Sequence, residues 1–67
     1  MTIAQKAIEL FQDEIYEEWQ DLENDIENEF DIQTMLEHPE GKTLVFTDGS
    51  SAYLYFYKAI LIERPTL

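Results

Sequence analysis

Sixty-seven residues allow one small domain, Met1–Leu67, and a chain this short buries only about 60% of its unfolded surface. With no Cys, disulfides, thiolate metal sites and a Cys nucleophile are excluded, so oligomerisation is the support left for a marginal core. Fifteen Asp and Glu against four Lys and Arg give a net charge of −11, which disfavours direct binding to nucleic acid or anionic membranes and favours basic surfaces.

The chain has no Gly or Pro before Pro39. Thr2-Ile3-Ala4-Gln5 fits a capping box. Apolar residues then recur at Ala4, Ile8, Phe11, Ile15, Trp19, Leu22, Ile26 and Phe30, with steps of three and four. These positions form one stripe on a helical wheel and predict an amphipathic helix from about Thr2 to about Asn28. The repeat is close to eleven residues in three turns, so the stripe stays nearly straight. Trp19 lies on it and is expected in the core. Asp31 is placed to cap a short second helix that ends before Pro39.

Beyond His38-Pro39-Glu40-Gly41 the pattern changes. Thr43-Leu44-Val45-Phe46-Thr47 is β-branched and aromatic, and Asp48-Gly49 suits a two-residue hairpin loop. Ala52–Tyr57 then alternates, with Tyr53, Tyr55 and Tyr57 on one face and Ala52, Leu54 and Phe56 on the other. Lys58–Glu63 is expected to continue that strand after a bend. A helix over Ser51–Arg64 competes, because short apolar runs do not separate the two by period alone. The expected class is α+β: a long N-terminal amphipathic helix, with or without a short second helix, packed on a C-terminal β-hairpin. Both faces of the second strand are apolar, and one helix covers only one of them. A second copy is therefore expected on the tyrosine face, unless the segment around Met35 folds back over it.

The acids are concentrated. Ala7–Gly41 holds thirteen of them and no Lys or Arg. Glu9, Asp13 and Glu17 sit four apart, as do Asp21 and Asp25, and Glu23 and Glu27. Such like-charge pairs destabilise a helix by a few tenths of a kcal/mol each. Asp25, Glu27 and Glu29 also lie toward the helix C-terminus, where the dipole disfavours anions. Helix stability does not select this pattern; solubility or a basic partner does. Eleven carboxylates over Glu9–Asp31 give roughly one per 3 Å of helix axis, close to the roughly 3.4 Å per phosphate of a DNA strand. In charge and size the chain resembles phage and plasmid inhibitors of restriction, repair or CRISPR enzymes, a resemblance of type without a shared motif.

Other chemistry finds little support. The alternating acids from Asp21 to Asp31 have Ile26 and Ile32 where a calcium loop needs Gly and Glu. Gly41-Lys42-Thr43 lacks the upstream Gly of a phosphate loop, having Leu36 there. His38 precedes a proline and is expected in a solvated loop. The tyrosine ladder suits a half-buried strand face or a dimer interface better than base stacking. No catalytic residue, metal or cofactor is expected. The N-terminus lacks a charged region followed by an apolar run, and the longest apolar stretch, within Ala52–Ile62, is broken by Lys58, so a cytoplasmic protein is expected.

Two non-enzymatic roles follow. In one, the protein is an inhibitor or regulator that occupies a basic, nucleic-acid-binding surface of a partner protein. Glu9, Asp13, Glu17, Asp21, Glu27 and Asp31 are the candidate contacts. In the other, it is a small dimeric structural or adaptor module that binds through its apolar hairpin face at Tyr53, Tyr55 and Tyr57, with acidity serving solubility.

Overall fold

A computed structural model describes residues 1–63. Its elements are α1 (Ile3–Phe11), α2 (Trp19–Glu29), β1 (Ile32–His38), β2 (Gly41–Phe46), β3 (Ser51–Tyr55) and β4 (Ile60–Glu63). The class is α+β, as expected. The four strands form an antiparallel meander in the order β1-β2-β3-β4, and both helices lie on one face of it. No helix among the described residues is long and apolar enough to cross a membrane.

The single helix over Thr2–Asn28 does not form. It is interrupted at Gln12–Glu18, and Ile15 leaves the stripe to stand 94% exposed. A straight helix of that length would run roughly 40 Å, whereas the longest dimension of the molecule is 29 Å. Such a helix would run about 11 Å past the molecule as it is folded. The break returns α2 to the sheet and buries Leu22 and Ile26, each worth about 1.5–3 kcal/mol. It also takes Glu9/Asp13, Asp13/Glu17 and Glu14/Glu18 out of helical juxtaposition, a relief of about 1 kcal/mol in all. Packing therefore outweighs charge relief in favouring the break. Glu17 and Glu18 now precede α2 and Asp21 lies in its first turn, where the dipole favours anions.

The segment expected as a second short helix is a strand. β1 pairs with β2, with Met35 opposite Leu44 and His38 opposite Gly41 across the Pro39-Glu40 turn. The register shifts between Ile32 and Thr34, a β-bulge at Gln33. It does not cover the tyrosine face. Gly41-Lys42-Thr43 opens β2, and a Cβ at Gly41 would meet the Leu54 carbonyl and the Tyr53 ring.

The β2–β3 hairpin forms where expected, with one more residue in its loop. Gly49 donates to the Phe46 carbonyl at 3.0 Å, Phe46 donates to the Ser50 carbonyl at 2.8 Å, and Gly49 has φ of 87°. This is a three-residue Thr47-Asp48-Gly49 loop with Gly in the left-handed position. Residues after Tyr55 reverse through a turn in which Ala59 has φ of 49°, so β4 pairs back onto β3 instead of extending it. The competing helix over Ser51–Arg64 does not form through Glu63; Arg64 lies outside the described residues.

Leu44, Phe46, Ala52, Leu54 and Leu61 supply the sheet side of the core, and Ala4, Ala7, Leu22 and Ile26 the helix side. The hairpin loop also fastens α1. Ile3 N–H donates to the Asp48 carboxylate at 2.9 Å, Ala4 N–H to Ser50 Oγ at 3.0 Å and Gln5 N–H to Thr2 Oγ1 at 3.1 Å. The Thr2/Gln5 capping box is present. All four N–H groups that a helix start leaves unpaired, those of Thr2, Ile3, Ala4 and Gln5, are satisfied, two of them by Asp48 and Ser50 of the β2–β3 connection.

Phe46→Ala should cost about 3–5 kcal/mol, as much as a core of this size supplies. Far-UV circular dichroism should show the variant largely unfolded at 25 °C. Hydrogen bonds from Ser50 and from the Ile3 and Ser50 N–H groups hold the Asp48 carboxyl below its ordinary value of 3.8. A lowered folded value stabilises at pH above the unfolded one and is lost on acidification. Wild type should therefore be more stable than Asp48→Asn at neutral pH. In denaturant titrations the difference should shrink as the pH falls below 3.8 toward the lowered value.

Candidate functional site

The helical layer carries the acids. On α2, Leu22 and Ile26 turn into the core, which turns Asp21, Asn24, Glu27, Asn28 and Glu29 outward. Glu23 and Asp25 flank the buried stripe and are half-buried, and each has a partner. Glu23 forms an ion pair with Lys42, which also sits 5.0 Å from the Trp19 ring centroid. Trp19 in turn stacks on Phe56 at 4.2 Å, on the helix side of the sheet. Asp25 accepts a hydrogen bond from the Tyr16 hydroxyl at 2.6 Å. Burial, together with this carboxylate, pushes the Tyr16 phenol well above its ordinary value of 10.0.

All six predicted contact residues are exposed. Glu9 is near the end of α1, Asp13 and Glu17 lie in the interruption, Asp21 and Glu27 are on α2, and Asp31 precedes β1. Five of them lie on the helices or the segment joining them and Asp31 at the start of the sheet, so they do not share one axis. The straight row with the spacing of a DNA strand is therefore replaced by two short segments joined at Gln12–Glu18. Glu23–Lys42 is the one ion pair among the described residues, so most of the layer's charge is uncompensated there. Between α1, the interruption and α2 lies an open cleft of about 340 Å³. Leu10 and Phe11 give it an apolar wall, and Glu14, Asp25 and Glu29 give it carboxylates. Tyr16 and its bond to Asp25 were not foreseen from the sequence; a Tyr beside an exposed Ile carries no periodic signal. Among the described residues no three His, Asp or Glu side chains are grouped to hold a metal ion.

The other face of the sheet is different. Strand alternation places Thr34, Leu36 and His38 of β1 there, with Gly41, Thr43 and Val45 of β2. Ser51, Tyr53 and Tyr55 of β3 and Ile60 and Ile62 of β4 complete it. The tyrosines are on one face, as expected, and it is the face opposite the helices. His38, Tyr53, Tyr55 and Tyr57 form a row of rings with centroids 5.9, 6.4 and 5.8 Å apart. His38 is not in a solvated loop. It ends β1, half-buried, and its Nε2 lies 2.9 Å from the buried Thr43 hydroxyl, because strand pairing at the Pro39-Glu40 turn brings it beside β2.

Compared with protein-family models, with curated proteins and with solved structures, the chain matches none.

Tyr16→Phe should lower stability by about 1 kcal/mol, the usual net value of such a hydrogen bond. A raised folded value means that this bond stabilises below pH 10.0 and is lost as the pH rises through the folded value. In an alkaline titration of tyrosinate absorbance, one of the four tyrosines should therefore ionise late. Asp25→Asn should bring it part of the way back.

Proposed function

We propose that the protein acts by binding, as an inhibitor or regulator whose acidic helical layer occupies a basic, nucleic-acid-binding surface of a partner protein. The observation that carries this is the segregation of charge. All six candidate carboxylates are exposed, five of them on the helices and the segment that joins them, and the described strand residues of the sheet face opposite the helices include no Asp, Glu, Lys or Arg. A solubilising charge has no need to be one-sided. An acidic layer beside a neutral face directs the molecule toward one kind of surface.

The interruption alters the form of mimicry to expect. Asp13 and Glu17 lie in non-helical backbone and Asp21 at the start of α2, so the carboxylates follow a bent path. A basic cleft shaped for a bent or single-stranded nucleic acid suits this path better than one shaped for a straight duplex. The cleft at Leu10, Phe11, Glu14, Asp25 and Glu29 suits a partner's Lys or Arg, with the aliphatic stem on the apolar wall and the charged head at the carboxylates.

Binding of this kind should weaken steeply as salt rises, because the contacts are exposed charges screened over about 8 Å at physiological ionic strength. Nucleic acid should compete with the protein for its partner. In a low-salt pull-down from the native cell with salt-gradient elution, the captured proteins should be basic and nucleic-acid-binding. Reversing Asp13, Glu17 and Asp21 to Lys should abolish their capture. A complex that survives high salt and this triple reversal would exclude the acidic layer as the docking surface and favour an adaptor role through the open sheet face.

A further inference from the structure

We infer that the helix-free face of the sheet is the docking site for a second copy of this chain, joined sheet to sheet about a two-fold axis. The face exposes large apolar side chains: Leu36, Ile60 and Ile62 are 46, 40 and 39% exposed, and Tyr57 at its margin is 74% exposed, beside an exposed Thr34. Val45, Tyr53 and Tyr55 lie between them, half-buried.

Charge argues for a copy of the same chain. Fifteen of 67 residues are acidic, yet none is on the described strand residues of this face, and neither is any Lys or Arg. A partner of opposite charge would find nothing here to recognise. An uncharged, aromatic surface is the natural complement, and this chain carries one. Self-association would ordinarily be opposed by −11 on each copy. Face-to-face pairing avoids that. Packed sheets stand about 10 Å apart and each has a helical layer about 10 Å thick behind it. The two acidic layers then lie roughly 30 Å apart, several times the Debye length of about 8 Å. Any pairing through the helices would bring them into contact.

Area sets the strength. Four strands about 4.8 Å apart and about 17 Å long give a footprint of roughly 300 Å² in projection. That is as large as the main apolar patch of a typical monomer, but well under the roughly 800 Å² per partner of a standard interface. The dimer is therefore weak and concentration-dependent. It supplies the layer that one short chain lacks, giving a helix–sheet–sheet–helix stack around a shared apolar interior.

Sedimentation velocity should show a mass rising from 7.9 kDa toward twice that value as the protein is concentrated toward about 1 mM, the weak end of the affinity scale. Raising salt should leave the association unchanged or tighten it, the opposite of what the acidic layer's partner binding should do, so the two proposals fail separately. Leu36→Glu and Ile62→Glu place a carboxylate at positions already open in the monomer and should weaken dimerisation at least tenfold. Ile15→Glu, on the helical side, should not. A mass of 7.9 kDa throughout, or a dimer indifferent to Leu36→Glu and Ile62→Glu but lost in Ile15→Glu, would overturn the assignment. If either face variant loses structure by circular dichroism, dilution of the wild type followed by methyl and aromatic NMR decides. Signals of Leu36, Val45, Ile60 and Tyr55 should shift while those of Leu22 and Ile26 stay fixed; the reverse pattern would also overturn it.

Discussion

A four-stranded sheet has two faces, and this chain has helix enough for one. α1 and α2 together are twenty residues, and every buried apolar side chain on them goes to the face made by Leu44, Phe46, Ala52, Leu54 and Leu61. The remaining features follow from that limit. The core is one layer of contact thick, so its loss at a single large residue is not absorbed elsewhere. Anchors that cost no volume become important, which is why the hairpin loop reaches across to α1. Asp48 and Ser50 bond the Ile3 and Ala4 N–H groups, so the β2–β3 connection caps the start of the first helix, although more than forty residues separate them.

The same limit decides where the sequence is legible. The β2–β3 hairpin is written locally: β-branched residues, Asp48-Gly49 and alternating tyrosines all specify one geometry. The capping box at Thr2 and Gln5 is equally local. The helix interruption is not. No Gly or Pro marks Gln12–Glu18, and the apolar period runs through Ile15 without a fault. The break lets α2 bury Leu22 and Ile26 on the sheet, a gain from packing between distant segments that no window of sequence shows. β1 was hidden differently. Its bulge puts Ile32 opposite Phe46 and Met35 opposite Leu44, so two residues three apart share one face of a strand. Three is a helical step, and with Asp31 in capping position the segment reads as a helix. Pairing with β2 overrides that.

For the acidic layer, exposure was legible and geometry was not. Asp21 and Glu27 are exposed because the helical spacing of α2 buries Leu22 and Ile26, while Asp13 and Glu17 are exposed in non-helical backbone. The supposed collinearity of the six depended on an unbroken helix and fell with it. The two acids that do find partners, Glu23 and Asp25, are the ones beside the buried stripe, and their partners come from elsewhere in the fold: Lys42 from β2 and Tyr16 from the interruption. Long-range pairs of this kind leave no periodic trace.

Charge on this molecule is sorted first by the sequence, which puts eleven of its fifteen acids in Glu9–Asp31 ahead of the strands, and then by the fold. Within the helices and strands, helix packing and strand alternation separate the acids from the apolar residues beside them. Glu37 and Glu63 show the rule. Both are on strands, and both take positions on the helix side, opposite Lys42 and Ala52, while their neighbours His38 and Ile62 take the open face. A one-residue slip of either strand would put a carboxylate among the tyrosines. The open face therefore stays uncharged only in the native register. Its neutrality is a product of folding, as is the uncompensated acid on the other side. The two proposed contacts therefore differ in their response to salt: screening would weaken one made by the acidic layer and leave one made by the neutral face intact.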